Sequence, residues 1–315
     1  MTVQEPPYAY LSGEFLPLDN AKVGIKNPAF LYGLSLFEGI RGYWLPESGQ
    51  ISVFRLEDHY KRLLNNSRLF HLTPSASLDE LCELTIELIR KNKHTSDIYI
   101  RPTLFQGGES ITPLMNRSTA DFCVWTQPLG EYLDLNKGLN VCVSTWRRVS
   151  DNAIPARAKA GGAYMNTALA ITDARNMGFD DAIFLTDSGT VSEGSAMNLF
   201  LIKDGLLHTP GKTDDILEGI TRDTLITIAK NELGLETLER TIDRTELYQA
   251  DEAFFCGTGA QVAPIAHIDG RPIGAGKPGP LTQKIQALYF DVVKNKYPQY
   301  AHWSRLVSLS EPSRS

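Results

Sequence analysis

Lys159 lies in Ile154-Pro-Ala-Arg-Ala-Lys159-Ala-Gly-Gly-Ala-Tyr164-Met-Asn166, a run of small residues with no acid beside the lysine. An amine held in a tight, partly dry site loses basicity and becomes a nucleophile toward a carbonyl, forming a Schiff base. Most lysines are solvated surface charges, so Lys159 acquires meaning only from the residues C-terminal to it. Tyr164 sits where a helix is expected to begin. Its phenol could hydrogen-bond an oxygen on a cofactor ring, although a half-buried core tyrosine is the commoner fate. Glu193, in Thr190-Val-Ser-Glu193-Gly-Ser195-Ala-Met-Asn198-Leu-Phe200, precedes a strand that reads as buried. A buried carboxylate needs a cationic partner. A protonated pyridine nitrogen would serve, and it would make the ring an electron sink for carbanion chemistry at an amino acid's Cα.

Two turns have the makings of anion cradles. Leu217-Glu-Gly219-Ile220-Thr221-Arg222 opens a helix, where backbone N–H groups and the positive dipole end collect, and the Thr221 hydroxyl adds a donor. Gly257-Thr258-Gly259 follows an apolar strand and offers a second such turn. It is not a dinucleotide fingerprint, because Val262 stands where the third glycine belongs, and no Walker sequence occurs. Nearer the N-terminus, Tyr32-Gly-Leu-Ser-Leu-Phe37-Glu-Gly39-Ile-Arg41 is aromatic, glycine-rich and low in charge, as an apolar pocket wall would be. Phe54-Arg-Leu-Glu-Asp-His59-Tyr-Lys-Arg62-Leu63 reads as a helix presenting several cations, and Tyr99-Ile-Arg101 puts two polar side chains on one face of a strand.

The elements that must position these residues are legible in outline. Ser12-Gly13 between Tyr8-Ala-Tyr-Leu and Glu14-Phe-Leu-Pro-Leu is a hairpin signal. Ser77-x-x-Glu80 is a capping box ahead of a helical period over 78–89. Strands are expected at 98–105, 122–125, 139–143, 181–186, 198–202 and 252–256. Helices are expected at 164–177, 221–233 and 281–293, with Gly178 and Gly234 as stops. The residues from Ser308 onward read as a polar tail. Helices and strands do not alternate as a doubly wound parallel sheet requires, so the fold class is α+β. A chain of 315 residues suggests about two domains. The boundaries expected are a small N-terminal domain over 1–127, a linker over 128–138 and a larger domain over 139–315.

Composition narrows the function. Hydrophobic residues make up 42% and charged residues 22%, ordinary globular values. A net charge of −6, with no basic run interleaved with aromatics, argues against nucleic acid as a partner. No apolar stretch reaches the roughly 18 residues of a membrane span, and the N-terminus carries no basic or apolar leader pattern. Cys82, Cys123, Cys142 and Cys256 are widely spaced and read as free thiols in a reducing compartment, hence cytoplasmic. The six histidines show no metal-ligand spacing, so no metal is expected.

From about Tyr8 to Phe290 the chain resembles the fold-type IV pyridoxal-phosphate aminotransferases, specifically the branched-chain aminotransferase family. The resemblance rests on Tyr32-Gly-x-Ser-x-Phe37-Glu-Gly39-Ile-Arg41, Tyr99-Ile-Arg101-Pro, Lys159-Ala-Gly-Gly-x-Tyr164 and Ser192-Glu193-Gly-x-x-x-Asn198-Leu-Phe200, in that order, continuing through Leu217-Glu-Gly219-Ile220-Thr221-Arg222. It implies a two-domain fold like that of D-amino acid aminotransferases, with pyridoxal 5'-phosphate as cofactor. Lys159 would hold the cofactor as an internal aldimine and then move the proton. Glu193 would pair with the pyridine nitrogen and Tyr164 with the ring oxygen. Arg62, the amides of Ile220 and Thr221, and the hydroxyls of Thr221 and Thr258 would bind the phosphate. Tyr99, Arg101 and the Thr258–Gly259–Ala260 turn would face the substrate carboxylate, and Tyr32, Phe37, Arg41, Tyr164 and Leu129 would shape the substrate pocket.

The implied activity is ping-pong transamination of leucine, isoleucine and valine with 2-oxoglutarate, in a homodimer or larger homo-oligomer. Two departures from the family pattern bear on specificity. Gly107-Gly-Glu-Ser-Ile-Thr-Pro-Leu114 replaces a Gly-Met-Gly-Val-like loop, and Leu129 stands where a tryptophan is usual. Both imply broadened specificity. They add aromatic substrates or (R)-amines as expected extras, and the alternatives on the same fold are an (R)-selective amine transaminase, a D-amino-acid transaminase or a pyridoxal-phosphate lyase.

Overall fold

The computed structural model describes residues 7–115, 120–130 and 137–309, which divide into two compact units. The first unit comprises 1–130, 158–162 and 292–315, and the second comprises 131–157 and 163–291. The expected division assigned 158–162 and 292–315 to the C-terminal domain. They cluster instead with the first unit, because a strand pairing across hundreds of residues leaves no local trace. Of the expected linker, Pro128 still belongs to the strand Ala120–Pro128, paired with Ile98, and 131–136 lie outside the described residues.

The first unit is built on an antiparallel sheet. In spatial order its strands are Ser304–Ser308, Gln50–Phe54, Ile40–Leu45, Ile98–Gln106, Ala120–Pro128, Tyr8–Leu11 and Glu14–Pro17, with Ser35–Phe37 also paired to Ile98–Gln106. The hairpin turns at Ser12 and Gly13, as expected. The helices Leu56–Leu69 and Leu78–Asn92 bury Leu56, Tyr60 and Leu63, and Leu81, Ile86 and Ile89, respectively. The second helix starts at the predicted capping box: the Ser77 hydroxyl accepts from the Glu80 amide, and the Glu80 carboxylate accepts from the Ser77 amide. The first helix starts at Leu56, one strand residue and one left-handed residue (Arg55, φ 52°) later than its period suggests. The last strand, Ser304–Ser308, was hidden by its polar composition and forms by pairing with Gln50–Phe54.

The second unit carries a mixed sheet ordered Val191–Gly194, Asp181–Leu185, Leu139–Arg147, Gln261–Ile268, Glu252–Gly257, Asn198–Lys203, Leu206–Thr209 and Thr237–Glu239. Leu139–Arg147 runs parallel to both of its neighbours. One core holds Val141, Ile183, Leu199, Phe255, Ala263 and Ile265. Phe200 and Phe254 stack with centroids 5.1 Å apart and are fully buried. Each buried ring contributes on the order of 1.5–3 kcal/mol. The helix Tyr164–Asn176 packs small residues, Ala170 and Ala174, against Cys142, Ala182 and Phe184, so it lies close to the sheet. The four cysteines are free, and burial raises the thiols of Cys82 to about 12 and of Cys123 and Cys142 to about 11.

Candidate active site

In the first unit, Lys159 is held by main-chain pairing. Phe37 N donates to the Lys159 carbonyl at 3.0 Å, Ala160 bridges Leu36, and Gly162 N donates to the Gly33 carbonyl at 3.2 Å. This explains the small residues around the lysine. A Cβ on Gly33 would sit 2.8 Å from Gly162 Cα, and one on Gly161 would run into Ser35 Oγ. The groups that come close are therefore the backbone of 33–37. The Lys159 amine lies 5.1 Å from the centroid of Phe37, and the Arg101 guanidinium lies 4.2 Å from the same centroid. Arg101 Nε donates to Tyr99 Oη at 2.9 Å. The strand Ile98–Gln106 thus puts Tyr99 and Arg101 on one face, as their spacing predicts, with Arg101 against Phe37.

Arg62 is clamped by a residue that sequence reasoning passed over. Its Nε and Nη2 donate to the two oxygens of Glu38, at 2.8 and 2.7 Å, and Glu38 is fully buried. His59 Nδ1 lies 2.8 Å from Glu38 Oε2. Burial pushes the Glu38 carboxyl up, but Arg62's charge and hydrogen bonds, with His59, outweigh it and hold the group at about 2. Burial also lowers His59, against the pull of Glu38. The signal was present: Glu38 lies inside the quoted Phe37-Glu-Gly39 motif, and His59 precedes Arg62 by three residues on the same helix face.

Two residues expected at the substrate hold backbone. Arg41 is buried and donates to the carbonyls of Leu129 at 3.1 Å and Gly130 at 2.8 Å. Tyr32 Oη donates to the Ile111 carbonyl at 2.6 Å, tying down the 107–114 loop, which Asn27 Nδ2 also holds at the Gly108 carbonyl.

In the second unit, Glu193 is 3% exposed. Its Oε1 accepts from Arg148 Nη2 at 2.8 Å, and its Oε2 accepts from Asn198 Nδ2 at 2.9 Å and Leu217 N at 3.1 Å. Arg148 is a second residue that sequence reasoning missed, since nothing local marks one arginine of the Arg147-Arg148 pair. Ile220 opens the helix Ile220–Leu233 behind Gly219, and no side chain caps that end. A Cβ on Gly219 would collide with Asn198 Oδ1. Thr221 is buried beside it. Thr258, Gly259 and Ala260 form the turn between the strands Glu252–Gly257 and Gln261–Ile268. Tyr164 is the first residue of its helix and half-buried.

These donor sets fit a phosphorylated pyridine aldehyde. A side-chain-uncapped helix N-terminus with a buried threonine suits a phosphate, and a clamped, buried carboxylate suits a cationic ring nitrogen. In the first unit, Lys159 offers an amine of the kind that reacts with an aldehyde. Among the described residues no helix is long and apolar enough to cross a membrane.

The fold and this donor chemistry define a class. The sequence profile described as amino-transferase class IV matches residues 35–268, and the chain belongs to that family, whose cofactor is pyridoxal 5'-phosphate. It is 44% identical to a probable branched-chain-amino-acid aminotransferase of Aquifex aeolicus, over 94% of this chain and 95% of that one. Among solved structures, it superposes with a TM-score of 0.91 on the branched-chain aminotransferase of Thermoproteus uzoniensis with norvaline, at 41% identity, covering 96% and 99% of the two chains. The T.th. branched-chain amino acid aminotransferase complexed with N-(5'-phosphopyridoxyl)-L-glutamate gives a TM-score of 0.90 at 36% identity, covering 96% and 98%. These relatives support transamination of branched-chain substrates and lend no support to the (R)-amine, D-amino-acid or lyase alternatives.

Proposed function

We propose that this protein moves the amino group of L-leucine, L-isoleucine or L-valine to 2-oxoglutarate. The observation that carries the reading is the Phe37 ring, against which both the Lys159 amine and the Arg101 guanidinium rest. A substrate whose carboxylate pairs with Arg101 and Tyr99 is brought toward the lysine. The relatives bound to norvaline and to a phosphopyridoxyl glutamate support an aliphatic amino acid and glutamate as the two substrates.

Bound pyridoxal phosphate supplies an electron sink for the charge left at Cα when its proton departs. Lys159 would hold the cofactor through Nζ between turnovers, and the same amine would take up and return the proton of the substrate's Cα. Glu193 would face the ring nitrogen with its carboxylate, and Tyr164 would donate to the ring oxygen. Arg62, the Ile220 and Thr221 amides and the Thr221 and Thr258 hydroxyls hold the phosphate. The Thr258–Gly259–Ala260 turn assists Arg101 and Tyr99 with the carboxylate. Phe37, Tyr32 and Leu129 bound the side-chain pocket, and Arg41 acts through the Leu129 and Gly130 carbonyls it grips. One set of residues serves both half-reactions, so the kinetics are ping-pong.

We also read the protein as a homodimer or larger. Ile25 (77% exposed), Phe30 (72%) and Ile111 (83%), with Val23, Leu31 and Leu114, form exposed apolar side chains on two segments joined by hydrogen bonds. A patch of that kind marks a contact surface, and a second copy is the occupant a class IV enzyme offers. Sedimentation at micromolar concentration should show a dimer or higher species.

The deciding experiment mixes the pyridoxal form with single amino donors and follows its absorbance as it converts to the pyridoxamine form. Leucine, isoleucine, valine and glutamate should convert it fastest. A Lys159→Ala protein that kept turnover would overturn the assignment.

A further inference from the structure

The carboxylate proposed to face the cofactor nitrogen is held by a residue with no assigned part. Arg148 directly follows the strand Leu139–Arg147, and its N donates to the Leu185 carbonyl at 2.8 Å, which locks its backbone to the neighbouring strand. From there its side chain passes Phe184, with the guanidinium carbon 5.7 Å from the ring centroid. Nε donates to the Asp215 carbonyl at 3.3 Å, and Nη2 reaches Glu193 Oε1 on the strand beyond. The Asp215 carbonyl also accepts from Ser192 Oγ at 3.2 Å, next to Glu193, and Asp215 adopts a left-handed φ of 55°. Arginine and carboxylate are thus cross-tied at one carbonyl, while Asn198 and Leu217 N hold the other carboxylate oxygen.

Charge makes this arrangement matter. A carboxyl that is almost wholly buried and unpaired takes up a proton. A protonated Glu193 could not balance a charged ring nitrogen. A planar guanidinium fixed at two points orients a carboxylate better than a flexible ammonium does.

We propose that Arg148 is the positioning residue for Glu193, holding its carboxylate ionised and aimed so that the bound cofactor's ring nitrogen keeps its proton. This rests on the proposed pairing of Glu193 with that nitrogen. A purely structural ion pair would stabilise the unit without touching the cofactor's electronics, and the test separates the two.

Holoenzymes of wild type, Arg148→Met, Arg148→Lys, Glu193→Gln and the Arg148→Met/Glu193→Gln double variant are compared. The measurements are kcat and KM for leucine, the cofactor dissociation constant and the pH titration of the bound cofactor's absorbance. In Arg148→Met, kcat should fall on the order of a hundred-fold with KM changed little. The absorbance should gain a titration step, absent from wild type, as the unpaired Glu193 picks up its proton. Arg148→Lys should recover part of kcat and suppress that step. The double variant should be no worse than Glu193→Gln alone, since both act through one group. The proposal is overturned if Arg148→Met melts lower but keeps the wild-type kcat and titration, or if the double variant's losses simply multiply. If Arg148→Met fails to fold, an Arg148→Lys protein whose kcat falls below wild type at an unchanged KM supports the proposal, and one with the wild-type kcat overturns it. A wild-type protein that binds no pyridoxal phosphate, or a harmless Glu193→Gln, would instead remove the underlying reading.

Discussion

Replacing Glu38 with glutamine tests the buried clamp on Arg62. Glu38 is fully buried and both its oxygens accept from Arg62. Burial alone would raise its carboxyl, yet the Arg62 charge and hydrogen bonds, helped by His59, hold it at about 2 against an ordinary 4.5. A depression of that size corresponds to about 3 kcal/mol of folding stability near neutrality. That agrees with the ~3–5 kcal/mol lost when one partner of a buried pair is removed. In a unit of this size the loss is a drop of roughly 6–12 °C in Tm. The sign follows from linkage. A carboxyl depressed in the fold stabilises above its unfolded pKa of about 4.5, and that contribution fades as pH falls toward 2. Wild type should therefore exceed Glu38→Gln from pH 8 downward, and the part of the margin owed to the carboxyl should shrink below about 5. His59, lowered by burial, makes both proteins less stable below about 6.5. Arg62 without its clamp should also hold the cofactor phosphate less tightly. The measurements are calorimetric Tm values of the apoprotein across pH and the cofactor dissociation constant at pH 7.5. A Glu38→Gln protein within 1 °C of wild type at pH 7 would refute the reasoning.

Other perturbations read out neighbouring parts. A methyl on Gly219 collides with Asn198 Oδ1. Gly219→Ala should displace Asn198 from Glu193 and from the Leu217 carbonyl, costing about 1–3 kcal/mol for two hydrogen bonds and weakening cofactor binding in a fluorescence titration. Leu129→Trp should fill the volume an isobutyl group leaves, reducing kcat/KM for phenylalanine at least ten-fold more than for leucine, whereas equal losses would show that Leu129 does not bound the pocket. The thiols of Cys82, Cys123 and Cys142, raised to about 11 or 12 chiefly by burial, should stay unreactive toward Ellman's reagent at pH 8 until denaturant is added.

Local interactions are the part of this molecule that a reader of residues can find. Ser77 and Glu80 cap a helix three positions apart, and Ser12-Gly13 turns a hairpin between adjacent strands. The helix behind Gly219 begins at Ile220, one residue before the expected start. The proposed roles of Lys159, Tyr164 and Glu193 come from motifs whose residue types stand in a set order along the chain. Arg62 is proposed on the same ground, but its partner Glu38 is 24 positions away and reads as one more polar residue in an aromatic stretch.

Sequence alone determined the class of chemistry, because several separated motifs occur in the order of the class IV aminotransferase family, to which the chain belongs. It also determined where most helices and strands begin, because caps and periods act over three or four residues. Tertiary structure decided what each reactive group leans on. The main chain of 33–37 pairs with Lys159, the polar C-terminal strand joins the first sheet, and Arg148 reaches across a strand to Glu193. Sheet pairing and burial bring residues together without regard to their separation in the chain, and a charge in a dry interior is governed by whichever partner folding delivers to it.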